Sequence, residues 1–187
     1  MNKKEQVIEM AKNLNNRVEA GIMNIPILEG FDIIENVTEP NIIFAAISEN
    51  RYIEQLIVGD TLKENETLED KVKETIKISE EYMEKQDLEY AQDNFIHLRD
   101  YNNNFKFKVY IQDYIFKDSS ERRAIRQINA YFIEPEYNKF YQLSISTGPI
   151  GIPTKMLKMG KIDLQNDLIT RELVLMMETL ITNIKYK

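Results

Sequence analysis

The sequence predicts an α+β fold: a curved antiparallel sheet flanked by helices, including a long C-terminal helix. Three observations carry this. Residues 88–147 hold four apolar segments separated by three turn signals, the pattern of an antiparallel meander. Residues 67–86 combine helical apolar spacing with a capping signal at their start. Residues 167–185 repeat the helical spacing with a broader apolar face.

Taken in order, residues 3–20 read as a helix. Val7, Ala11, Leu14 and Val18 fall on one face of a 3.6-residue period, and Gly21 suits its stop. The stripe is narrow, so this helix is expected to be peripheral, leaning on the domain or on a partner. Residues 22–58 are strand-like. Ile22 to Leu28 is interrupted by Pro26, which suits an edge position. Phe31 to Ile34 follows Gly30. Ile42 to Ile47 is a continuous apolar run, consistent with a strand buried on both faces. Tyr52 to Val58 is a further strand, ending at Gly59-Asp60.

In the helix over 67–86, Thr67 is the expected N-cap and Asp70 completes a variant capping box. Leu68, Val72, Ile76, Ser79 and Met83 make its stripe, widened by Thr75 and Tyr82. The meander segments are 89–99, 105–116, 124–134 and 139–147. In the second, Phe105, Phe107, Val109 and Ile111 face one way, and Lys106, Lys108, Tyr110 and Gln112 the other. In the fourth, Tyr141, Leu143 and Ile145 oppose Gln142, Ser144 and Ser146. This alternation predicts one packed face and one wet face. Residues 148–154 read as a loop. The last helix takes Asn166 or Asp167 as cap and buries Ile169, Leu173, Met176, Leu180 and Ile184.

A chain of 187 residues is expected to be a single domain, 1–187, burying about 70% of its unfolded surface. It has no Cys, which removes disulfides, thiol nucleophiles, iron–sulfur clusters and Cys-based zinc. One His removes metal sites built on two imidazoles of one chain. No metal, cofactor or catalytic residue is expected. A net charge of −7 makes a poor binder of nucleic-acid phosphates. No apolar stretch is long enough to span a bilayer, and the N-terminus has no signal-peptide core, so the expected compartment is the cytoplasm. Within 60–90, acids outnumber bases eleven to five.

Several residues invite chemical readings. His97 could serve as a general base only with an orienting partner and a nucleophile within reach; the alternative is a rim histidine on the wet face of a strand. The acids of 69–84 could hold a hard cation, but they interleave with Lys71, Lys73, Lys77 and Lys85, the pattern of a solvated, ion-paired face. Arg122, Arg123 and Arg126 could form a site for an acidic partner, or pair across strands with acids such as Asp113 and Asp118. Tyr110 and Tyr131, placed on the outward face, suit protein contact or amphipathic filling of the sheet. Gly148 to Pro153 lacks the Lys-Ser/Thr of a phosphate loop; it could offer an edge around Ile150 to a partner, or redirect the chain.

The order of elements, with Ile42-Ile-Phe-Ala-Ala-Ile-Ser, Glu66-Thr-Leu-Glu-Asp, Arg126-Gln-Ile-Asn-Ala-Tyr-Phe-Ile and Phe140-Tyr-Gln-Leu-Ser-Ile-Ser-Thr, resembles the PsbP-like superfamily. That group includes DcrB-like bacterial domains and the Ran-binding nuclear-import factor. The resemblance covers residues 22–187 and implies a curved sheet flanked by helices in a protein that binds other proteins, in some DcrB-like members as a chaperone-adaptor. It carries no functional residue onto a position here. The expected function is a non-catalytic protein-interaction module, an adaptor or chaperone, with Tyr110, Arg122, Arg123, Arg126, Tyr131 and Ile150 at the surface. The alternative is a small-ligand or lipid carrier with a cavity between the sheet and the C-terminal helix.

Overall fold

The computed structural model describes residues 2–34, 41–48, 53–96, 105–117, 123–134, 136–148, 150–151 and 168–187; within these, the side chains of 89–96, 123, 150 and 151 are excepted. The elements are α1 (Lys3–Ala11), β1 (Arg17–Ala20), β2 (Met23–Pro26), β3 (Asp32–Ile33), β4 (Ile42–Ser48), β5 (Ile53–Thr61), α2 (Leu68–Glu84), β6 (Leu88–Ile96), β7 (Lys108–Phe116), β8 (Arg123–Glu134), β9 (Lys139–Thr147), β10 (Ile150–Gly151), α3 (Leu168–Thr182) and β11 (Lys185–Tyr186).

The large sheet runs in the order β3-β4-β5-β9-β8-β7-β6, all antiparallel, with β10 pairing the start of β8. The four-segment meander is therefore present as β6–β9. It joins the earlier strands through β5 on β9, from Ile53 opposite Thr147 to Thr61 opposite Lys139. The α+β class stands as expected.

One face of this sheet builds the main core. Ile57 of β5, Ile111 of β7, Ile128, Ala130 and Phe132 of β8 and Leu143 and Ile145 of β9 are buried there. They pack with Leu173, Met176, Met177, Leu180 and Ile181 of α3. Each such Leu or Met contributes about 1.5–3 kcal/mol through removal from water. The same cluster takes in Met23, Ile25, Leu28 and Phe31, so a small sheet shares the cover with α3. That sheet has the order β1-β2-β11. Buried Gln55 ties it to β5, donating from Nε2 to the Pro26 carbonyl at 2.9 Å and accepting from the Leu28 N–H at 3.1 Å.

Five expectations need correction. The first helix ends at Ala11 rather than running to 20, because Asn13, Asn15 and Asn16 favour turn conformations over helix. Val18, assigned to its stripe, lies in β1, and Gly21 makes the β1–β2 turn at φ +60. A Cβ at Gly21 would meet the Tyr141 hydroxyl at 2.6 Å. Secondly, Pro26 does not mark an edge. It is the last residue of the central strand β2, and the ladder continues past it through the Ile27 N–H to the Asn16 carbonyl at 2.9 Å. Thirdly, the chain does not stay helical to 185: Lys185 and Tyr186 pair with Asn24 and Met23. Within 148–154, Ile150 and Gly151 are strand rather than loop.

The fifth correction concerns the wet face. On the side away from α3, α2 packs on the sheet. Val72 joins Leu62, Tyr131 and Phe140 in a second apolar cluster, with Leu68, Ile76, Tyr110 and Ile133 against it. Gln112, Tyr114, Asn129, Gln142 and Ser144 are buried on that same side. They form a polar network. Asn129 Nδ2 donates to Gln112 Oε1, the Tyr131 hydroxyl donates to Gln112 Oε1 at 2.9 Å, and Ser144 Oγ donates to Asn129 Oδ1. The buried polar residues alternating along β7–β9 reflect this network beneath α2 rather than a face open to solvent along its whole length.

Candidate interaction groove

The position of α2 is fixed at its first two turns. Thr67 Oγ1 accepts from the Asp70 N–H at 3.1 Å, and Asp70 Oδ2 accepts from the Thr67 N–H at 3.2 Å, closing the capping box. Lys71, buried on α2, lies 2.7 Å from Asp60 at the end of β5 and 2.9 Å from Glu74. Lys63 lies 2.6 Å from the other oxygen of Glu74. Hydrogen bonds from Lys63 and then Lys71 hold the Glu74 carboxyl down at about 2. Burial pushes Asp60 up most strongly, but the hydrogen bonds from Lys71 and the Thr61 N–H, with the charge of Lys71, together outweigh it and the net shift is downward. The clamp and the Val72 cluster seat the start of α2 on the sheet.

Beyond that seat a groove of ≈ 480 Å³ opens between α2 and the sheet. Its floor follows from register. Leu56 stands opposite Ser144 and Val58 opposite Gln142, so these four share a face. Leu56, Val58 and Phe140 give an apolar floor, and Ile78, Tyr82 and Met83 of α2 give an apolar wall. Ile78 and Tyr82 are 58% and 56% exposed. Gln127, Gln142, Ser144 and Ser146 add amides and hydroxyls. Among the described residues, Glu54 and Asp60 are the charged lining groups and no Lys or Arg lines the groove.

No family model matches the sequence, and no curated protein matches it. Solved structures do. The chain is similar in fold to the Ran-binding protein Mog1p of Saccharomyces cerevisiae. The TM-score is 0.55 at 9% identity, covering 91% of this chain and 94% of Mog1p. A single-residue variant of Mog1 gives a TM-score of 0.52 at 9% identity, covering 91% of this chain and 95% of the other. The likeness to Mog1p is one of fold.

Within this Mog1-like fold, the residues expected at the surface scatter. Tyr110 is half-buried, its ring 6.1 Å from that of Tyr131. Tyr131 is 0% exposed, beneath α2. Arg126 is 3% exposed, on the α3 side of the sheet. It donates from Nε to Asp113 Oδ1 at 2.8 Å and from Nη1 to Thr170 Oγ1 at 2.7 Å. The alternative of cross-strand pairing with Asp113 is the one realised, and neither Arg126 nor Tyr131 is an outward contact. Arg123 opens β8 opposite Gly151, and Ile150 lies opposite Ala124. Arg122 and His97 lie outside the described residues. Lys108 lies 3.3 Å from Glu69 of α2.

Sequence reasoning does not single out the groove residues as a site. The signal it holds is the i, i+4 pair Ile78 and Tyr82, which makes the apolar face of α2 wider than one packing stripe needs. Among the described residues, no cluster of three or more acidic or His side chains could hold a metal ion. No described helix is long and apolar enough to cross a membrane.

Proposed function

We infer that the chain is a non-catalytic protein-interaction module, acting as one unit in the cytoplasm as an adaptor or chaperone for another protein. The groove beside α2 carries this reading. It joins half-exposed Ile78 and Tyr82 to an apolar floor, the composition of a surface that a partner covers. Support comes also from the fold, which spans 91% of this chain in common with a protein whose name states that it binds Ran. Arg122, Arg123 and Ile150 form a second contact edge in this proposal, with the arginines suited to carboxylates of the partner.

The test is affinity capture of the full chain from its own cells under quantitative mass spectrometry. Ile78→Asp with Tyr82→Ala, and separately Arg122→Glu with Arg123→Glu, are compared with the parent chain. A specific protein recovered in near-equimolar amount by the parent, and at least tenfold less by the α2 pair, is the expected result. An identical protein profile from the parent and both variants rejects the reading.

A further inference from the structure

Two lanes of different chemistry run side by side along the groove. Leu56 and Val58 of β5 lie below the Ile78 and Tyr82 wall, and Gln142 and Ser146 of β9 lie one strand away, about 4.8 Å across the sheet. Gln142 uses Nε2 to donate to Asn129 Oδ1 at 3.2 Å and to Ser144 Oγ at 3.0 Å. Gln127 accepts from Asn129 Nδ2 through Oε1 at 3.4 Å. Among the described residues, this leaves Gln142 Oε1, Gln127 Nε2 and Ser146 Oγ without partners while they line the groove. The site thus offers both a donor and an acceptor beside an apolar lane. A carboxylate can only accept and an ammonium can only donate, whereas a peptide group does both. Among the described residues the charged lining groups are acids, Glu54 and Asp60, the latter paired with Lys71 at 2.7 Å, and this sign of charge also disfavours an anionic occupant.

We propose that this groove binds an extended apolar peptide segment of a partner protein, free of acidic residues. Its apolar side chains lie against Leu56, Val58, Ile78 and Tyr82, and its peptide groups bond to Gln127, Gln142 and Ser146. The inference rests on the protein-interaction reading and names the chemistry of the partner.

The probe is acetyl-Leu-Ala-Leu-amide, titrated into the full 15N-labelled chain. Hexanol serves as an apolar control and the free acid Leu-Glu-Leu as an anionic one. Saturable shifts at Leu56, Ile78 and Ser146 are expected, with affinity at least tenfold above that for either control. Ser79→Trp, which fills the groove from a half-exposed helix position, should abolish the shifts. Ser146→Val, which removes one hydrogen bond and keeps the size, should weaken binding about two- to tenfold. Spectral dispersion reports whether each variant is folded. Equal binding of hexanol, equal binding of the free acid, absence of saturation, or indifference to both substitutions overturns the proposal. If the peptide fails while Ile78→Asp with Tyr82→Ala still abolishes capture of the cellular partner, the peptide chemistry falls and the interaction module stands. If the peptide binds as expected but no cellular partner is captured, the peptide chemistry stands and the interaction module falls.

Discussion

Arg126 is a cation held at 3% exposure, so its cost depends on the carboxylate of Asp113, itself 1% exposed. Replacing Asp113 by Ala leaves the guanidinium buried without that counter-charge, and such a loss costs about 3–5 kcal/mol. Urea unfolding followed by circular dichroism should show this as a fall in midpoint at unchanged slope. Asp113→Ala together with Arg126→Met should recover much of the loss, since an apolar pair is often neutral at a buried site. A double variant as unstable as the single one would show that the loss comes from something other than the stranded charge. The same residue shows where sequence reading reaches its limit. Local pattern places both Arg126 and Tyr131 outward, yet they are an odd number of positions apart on one strand. A two-residue period puts them on opposite faces. Register settles the assignment: Asp113 lies opposite Arg126 on the α3 side, and Gln142 lies opposite Tyr131 on the α2 side. Asp113 can be named from the sequence as a partner for Arg126, but which face of the sheet is covered, and by which helix, needs the register, so burial of both residues is not legible locally.

At the scale of elements, α2 and the meander are legible because their signals are local. Thr67, Asp70 and the apolar stripe of α2 lie at or within one helix, and two of the three meander turns are clusters of Asn, Asp and Ser. Thr67→Ala removes the acceptor for the Asp70 N–H and should destabilise the chain by about 1 kcal/mol, seen in the same urea titration. The opening of α2 also predicts a pH response. Glu74 is held at about 2, below its ordinary 4.5, by Lys63 and Lys71. Its contribution is fully present above its unfolded value of 4.5 and is lost as pH falls through about 2. Between those limits the parent chain should lose stability more steeply than Glu74→Gln; parallel stability curves in acid would remove Glu74 from the account. Less legible are β1, β2 and β11. They are short, and their partners come from both ends of the chain, so helical spacing across 3–20 outweighs the Asn-rich break. The groove is partly legible for a related reason. Ile78 and Tyr82 can be read from α2, but the unpartnered atoms of Gln127, Gln142 and Ser146 need β8 and β9 placed side by side.

For the whole molecule, acids are concentrated over 60–90, and several described cations of the sheet lie against acids. Lys108 lies against Glu69, Lys117 lies 3.6 Å from Glu84, and Arg126 is internal. Charge here largely connects layers: α2 to β5, β7 to α2, and α1 to α3 through Lys3 and Glu178 at 2.6 Å. The small sheet makes a comparable connection between chain ends. β11 pairs with β2, the Lys187 N–H reaches the Ile22 carbonyl at 2.8 Å, and Lys187 lies 2.7 Å from Glu19. The Tyr186 ring sits 5.2 Å from that of Phe105, at the rim of the main core. A chain ending at Ile184 keeps α3 and its buried stripe, so the large sheet should hold its hydrogen-exchange protection. The truncated chain loses the β11 ladder on β2, and the amides of Ile22 to Asn24 should exchange at least tenfold faster. Protection of those amides left as it was would show that β2 is held by β1 and the core alone. A collapse of protection across β7–β9 would show instead that the two ends of the chain close the fold as a whole.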